Sequence, residues 1–167
     1  NSLSLQAQAM NTHIPHFIGG EPVTFPGERT SQVFNPATGE ATKTVGLAGA
    51  AGVQQAIDAA KAAFPKWRDT SLAARTQILF AFRELLNARK GELAEIITSE
   101  HGKVVSDALG EVTRGQEVVE FACGLGHLLK GGFSEQVSTG VDVHSVRQPL
   151  GVVGIISPFN FPAMVPM

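Results

Sequence analysis

Leu150-Gly151-Val152-Val153-Gly154-Ile155-Ile156-Ser157-Pro158-Phe159-Asn160-Phe161-Pro162 decides how this chain is read. Gly151 to Ile156 is a continuous apolar run without polar alternation, and β-branched side chains dominate it. Such a run predicts a strand buried on both faces, as in a parallel sheet. Ser157-Pro158 should end it, because proline donates no ladder hydrogen bond. Pro162 suits the first turn of a helix, where its missing N–H is not needed. The expected unit is therefore strand, tight loop, helix. Ligands of open α/β sheets bind beyond the carboxyl ends of strands, so Phe159 and Asn160 stand where a ligand is expected. A parallel strand needs parallel neighbours, and nothing upstream reads as another βαβ unit. The expectation is an α/β protein of which these 167 residues are the N-terminal part.

Upstream lies a helical block. Val105, Ala108, Val112, Gly115, Val119, Ala122, Gly126 and Leu129 alternate three and four apart, a seam for burial against other helices. Lys130-Gly131-Gly132 should end this helix, and Asp107, Glu111, Arg114, Glu117 and Glu120 fall on its other side. Before it, Thr70-Ser71 offers an N-cap, and Leu72, Leu79, Phe82, Leu86, Leu93 and Ile97 share one face. Gly91 is expected to break this stretch into two helices, and Glu100-His101-Gly102-Lys103 reads as a helix stop. Val53 to Phe64 predicts an earlier amphipathic helix, ended by Pro65, with Trp67 as a core anchor. Further upstream, Gly19-Gly20 suggests a hairpin, and Thr30–Phe34 and Ala41–Val45 read as strands around the turn residues Asn35 to Gly39. Ser138 to Gln148 alternates with period two and predicts a strand exposed on one face and open to pairing. Residues 1–12 are set aside as a tail.

Composition narrows the class. Apolar residues are 43% of the chain, enough for a core. The net charge is −2 and no basic stripe appears, so nothing marks a nucleic-acid surface. No apolar run approaches the ~20 residues of a membrane span, and residues 1–10 lack a signal-peptide pattern. A single cysteine, Cys123, forms no internal disulfide framework. The expectation is a soluble, cytoplasmic protein.

Asn160 is the first chemical candidate. Its amide N–H₂ can donate to an oxyanion beside a helix N-terminus, or it can be a turn or cap asparagine. Arg114 lies among carboxylates, where it is either a surface partner of Glu111 or Glu117 or a fork for a substrate carboxylate. Cys123 falls on the buried side of the long helix and reads as a structural thiol. No histidine, cysteine and aspartate set has metal-ligand spacing, so no metal is expected. Gly124-Leu125-Gly126 follows no strand and is not a dinucleotide fingerprint.

Pro158-Phe159-Asn160-Phe161-Pro162 after Gly-Val-Val-Gly-Ile-Ile resembles the strand-and-loop signature of the aldehyde dehydrogenase superfamily. Phe17-Ile18-Gly19-Gly20, Asn35 to Glu40, Phe64-Pro65-Lys66-Trp67, Arg75 to Leu86, and Glu100 to Lys103 follow in the order of that family, so the resemblance covers roughly His13 to Met167. Gly110 to Cys123 and Pro158 to Pro166 are most similar to its CoA-acylating methylmalonate-semialdehyde branch, although many relatives have tryptophan where this chain has Phe159.

The resemblance implies a Rossmann-like NAD-binding domain, a catalytic domain and a β oligomerisation arm, assembled as a dimer or tetramer. It implies that residues 13–137 begin the NAD-binding domain, 138–149 belong to the arm, and 150–167 enter the cofactor cleft. By position, Ile156, Ser157, Pro158 and Phe159 match the lining of the NAD cleft, Asn160 the oxyanion donor, and Arg114 the arginine for the substrate carboxylate. The implied reaction oxidises malonate or methylmalonate semialdehyde with NAD and passes the acyl group to CoA. The resemblance places the nucleophilic cysteine, the adenosine-binding residues and the dinucleotide glycines beyond Met167, so the isolated chain is expected to be inactive. A non-catalytic subunit acting by association, a hydrolytic aldehyde dehydrogenase of other substrate, and an acyl-phosphate reductase remain alternatives at this level.

Overall fold

The computed structural model describes residues 12–167. The tail set aside over residues 1–12 lies outside them, except for Thr12 at the start of the first strand. Strands β1 (Thr12–Ile14), β4 (Arg29–Phe34) and β5 (Ala41–Leu47) form one sheet in the order β1-β5-β4. β1 runs parallel to β5 and β4 antiparallel to it. The Asn35–Gly39 turn holds β4 to β5: Asn35 Oδ1 accepts from Ala37 N–H at 2.9 Å, and Gly39 N–H donates to Asn35 O at 2.8 Å. β2 (His16–Ile18) and β3 (Glu21–Val23) make a separate hairpin. Its turn needs two residues with positive φ, which Gly19 at 66° and Gly20 at 91° supply.

Helix α1 (Ala50–Asp69) runs through Pro65 instead of stopping there. Proline deletes one helical hydrogen bond, but four more residues continue the helix, and Thr70 closes it by donating from Oγ1 to Lys66 O at 2.7 Å. Trp67 is not the expected core anchor: it is 45% exposed, with the Arg75 guanidinium 5.8 Å from the ring centroid.

Helix α2 (Leu72–His101) starts at Ser71, whose Oγ accepts from Ala74 N–H at 3.2 Å, as the sequence predicted. The expected break at Gly91 is absent, and the helix is continuous for 30 residues. A glycine in a helix interior costs only about 1 kcal/mol relative to alanine. The next turn, with Ala94 and Ile97, is buried in the core and holds the helix together. Gly102 then stops it with φ 85°, donating its N–H to Thr98 O at 2.9 Å. Of the predicted apolar face, Leu86 and Ile97 are buried, Leu79 and Leu93 are half-buried, and Leu72 and Phe82 are exposed.

Helix α3 (Val105–Cys123) packs antiparallel-fashion back along α2 after the three-residue link Gly102, Lys103 and Val104. The middle of the predicted seam is buried (Ala108, Val112, Gly115 and Val119, with Cys123), but its ends Val105 and Leu129 are exposed, and Glu111 and Gln116 are buried beside it. The helix ends at Cys123 rather than near Lys130, and one short turn, α4 (Leu125–Leu128), follows. The core joins Ala94 and Ile97 of α2, Ala108 and Val112 of α3, and Ala163 from the far end of the chain. Lys43 Nζ to Glu100 Oε1 at 2.7 Å links the sheet to α2, and Arg83 Nε to Glu120 Oε1 at 2.8 Å links α2 to α3.

The single strand expected over Ser138–Gln148 is one arm of a hairpin. β6 (Phe133–Ser138) pairs antiparallel with β7 (Val141–His144) across Gly140, which has φ 74°. Every residue of both strands is exposed.

The run that opened the sequence reading departs most from expectation. Gly151–Ile156 forms no strand, and Ile155 and Ile156 are 71% and 100% exposed. Its ladder groups need parallel neighbours, and none lies among the described residues. Residues after Pro162 form turns closed by Val165 N–H to Phe161 O at 3.4 Å, in place of the predicted helix. Among the described residues no helix is long and apolar enough to cross a membrane.

Candidate functional site: an anchored loop at Asn160

The loop around Asn160 is held from beneath by one charged residue of α3. Glu111 is 1% exposed, although the helical pattern placed it on the solvated side. Its Oε1 accepts from Ala163 N–H at 2.8 Å and Met164 N–H at 3.2 Å. Two backbone N–H groups of the Phe161–Val165 turn thus converge on one carboxylate oxygen. Oε2 accepts from Lys103 Nζ at 2.6 Å. Burial acts to raise the Glu111 pKa, but Lys103 and the two backbone donors outweigh it and hold the carboxyl below its ordinary 4.5.

Lys103 reaches the loop as well. Its Nζ donates to Asn160 O at 2.9 Å and lies 4.9 Å from the centre of the Phe161 ring. The segment is thus held at the Asn160 carbonyl and at the Ala163 and Met164 amides. Gly115 makes the close approach possible: a Cβ there would stand 2.6 Å from Met167 Sδ and 3.3 Å from Met164 Cα. Asn160 itself is exposed, and its bond to Lys103 uses the main chain. Its side-chain amide is left unengaged among the described residues.

Phe159 is 88% exposed and lines a groove of about 750 Å³ with Leu93, Ile96, Ile97, His101, Pro162 and Ala163. Ile156, Ser157 and Pro158 are exposed beside it. Arg114 is exposed on α3, one residue before the glycine that meets Met164. The surface pair with Glu111 does not form, because Lys103 and the loop amides occupy that carboxylate. Cys123 is buried in the helix seam, as expected of a structural thiol. No group of three or more His, Cys, Asp or Glu among the described residues has a metal-binding arrangement. The structure therefore brings Ile156–Asn160 onto one exposed edge and sets Arg114 on the neighbouring helix. Sequence reasoning missed Lys103 and Glu111. The available signal was the position of Glu111 three residues after Ala108 and four before Gly115, inside the seam.

The Aldehyde dehydrogenase family matches residues 24–167, and the chain belongs to that family. It is 50% identical over 152 residues to the malonate-semialdehyde dehydrogenase of Pseudomonas aeruginosa, covering 91% of this chain and 30% of that protein. It is 43% identical over 158 residues to the acylating, mitochondrial methylmalonate-semialdehyde dehydrogenase of Arabidopsis thaliana, covering 95% of this chain and 26% of the relative. A Sinorhizobium meliloti protein assigned as a methylmalonate-semialdehyde dehydrogenase, solved complexed with NAD, superposes with TM-score 0.91 at 46% identity, covering 95% of this chain and 32% of that one. The chain spans about 30% of the length of the curated relatives it matches. The α/β architecture is accordingly a part of the aldehyde dehydrogenase fold.

Proposed function

We propose that these residues belong to an NAD-dependent, CoA-acylating dehydrogenase of malonate or methylmalonate semialdehyde. The observation that carries this reading is the exposed, unengaged Asn160 amide on a loop anchored at both ends. Attack of a thiolate on an aldehyde turns the carbonyl oxygen into an oxyanion. A positioned amide N–H₂ is suited to that charge, and removal of one such donor costs roughly 3 kcal/mol of transition-state stabilisation. Asn160 is the donor, and Arg114 orients the substrate carboxylate through its fork of N–H groups. Cys123, buried among α3 side chains, does not supply the thiolate. The names of the similar proteins support the semialdehyde, and the acylating relative supports CoA as acceptor.

The residues present fit one wall of a nicotinamide cleft. Ile156 and Phe159 offer exposed apolar surface, and Ser157 and Pro158 connect them next to Asn160. NAD, when bound, accepts the hydride of the aldehyde carbon. The domain assignment follows the same reading: residues 13–137 begin the NAD-binding domain, 138–149 belong to an oligomerisation arm, and 150–167 line the cleft. The fully exposed β6–β7 hairpin fits an arm of a dimer or tetramer. A cytoplasmic setting belongs to the proposal too, supported by the single cysteine.

The test uses the full-length enzyme. Arg114→Leu raises KM for carboxylated semialdehydes and spares propanal, whereas Asn160→Ala lowers kcat on both by about a hundredfold or more. Equal effects of Arg114→Leu on both aldehydes would remove the carboxylate role. Wild-type turnover in Asn160→Ala would remove the oxyanion role.

A further inference from the structure

We propose that Lys103 and Glu111 are positioning residues for the Asn160 amide, forming an ionic clamp on a buried carboxylate that presets the oxyanion donor. The assignment rests on Asn160 being that donor. An ammonium has three N–H groups. Those of Lys103 have three acceptors: Glu111 Oε2 at 2.6 Å, the Asn160 carbonyl at 2.9 Å, and the Phe161 ring face at 4.9 Å. The Glu111 carboxylate is equally committed, to Lys103 and to the amides of Ala163 and Met164. Side-chain exposures of 13% for Lys103 and 1% for Glu111 limit the access of water to the pair, while the bond to the Asn160 carbonyl lies at the exposed edge.

An ion pair that only stabilised α2 against α3 needs no contact with the loop. Beyond the bond between the two side chains, this one directs its remaining donors and acceptor at the loop. The backbone on both sides of Phe161 is thereby held, at the Asn160 carbonyl and at the Ala163 and Met164 amides. Donors act fully only when they lie within roughly 0.5 Å of the productive geometry. A clamp on the main chain of the donor residue supplies that geometry before substrate arrives. Gly115 completes the device by letting the clamped turn rest against α3 without a side chain between them.

The experiment is a double-mutant cycle in the full-length enzyme, with Lys103→Met, Asn160→Ala and the double variant assayed on malonate semialdehyde with NAD and CoA. Lys103→Met is expected to lower kcat about tenfold or more, with KM for aldehyde and NAD changed by no more than about twofold. In the Asn160→Ala background, the same substitution is expected to lower kcat by about twofold or less, because the group it positions is gone. Wild-type turnover in Asn160→Ala alone overturns the oxyanion reading. A low kcat in Asn160→Ala together with wild-type kcat in Lys103→Met, or with fully additive losses in the double variant, overturns the clamp and leaves the oxyanion reading intact. If Lys103→Met fails to fold, Lys103→Arg carries the test. The guanidinium keeps the charge beside Glu111 but fans its donors in a plane, so kcat falls while the melting temperature stays near wild type. Wild-type kcat in Lys103→Arg overturns the assignment.

Discussion

The two halves of residues 151–164 behave in opposite ways. Gly151–Ile156 is the more apolar half, yet Ile155 is 71% and Ile156 100% exposed. Asn160–Met164 carries the polar candidate, yet it is tied to α3 by a buried carboxylate and contributes Ala163 to the core. Hydrophobicity states what a segment requires, and only a partner satisfies it. The second half has its partners, Lys103 and Glu111, within the described residues. In the first, Val152 and Val153 border grooves along α1 without being buried, and Ile155 and Ile156 stand in the open.

The largest effect expected from breaking this contrast is at Glu111. Glu111→Leu leaves Lys103 and two backbone N–H groups without their acceptor, which costs roughly 3–5 kcal/mol. Urea unfolding of the chain measures it, and a loss below about 1 kcal/mol, the size of an exposed pair, would mean that the loop is not anchored by this residue. A smaller effect appears with pH. The Glu111 carboxyl is held below its ordinary 4.5, so its contribution is complete above that value and is lost as pH falls through its lower folded value. Stability should therefore decline with acidification below 4.5, and less steeply in Glu111→Gln. Identical acid profiles for the two proteins would contradict this. The smallest effect is at Ile156. Ile156→Ser should change the stability of this chain by less than about 0.5 kcal/mol, as at other exposed positions. In the full-length protein, where parallel strands would cover the run, the same change should cost roughly 2–5 kcal/mol. Equally small effects in both would mean that the run is not a sheet strand.

What could be read from the sequence follows the same division. The α3 seam, the Ser71 cap, the Gly102 stop and the Gly19-Gly20 hairpin were legible, because each is decided within a few residues of itself. Gly91 and Pro65 misled. Each weakens a helix locally by an amount that continuing the helix and packing its next turn offset. β6 was missed because Gly131-Gly132 reads as a helix terminus and its partner strand was read as alone. At the candidate site, Asn160 and its neighbours stood out by their place after an apolar run. Glu111 did not, because a charge within a seam is assigned to solvent unless its partners are known. Those partners lie 8 residues before it and 52 and 53 after it.

These unequal separations matter while the chain is being made. Synthesis proceeds from the N-terminus at ~5–20 residues per second, so Ala163 leaves the ribosome roughly 3–10 s after Glu111. Within that interval α3 is completed at Cys123, after which α2 and α3 have the residues to close their shared seam over a carboxylate whose amide partners have not yet been translated. Lys103, already present at the head of the same helix pair, is the counter-charge that makes this waiting state tolerable. The later arrival of residues 160–164 then meets a receptor that is already built.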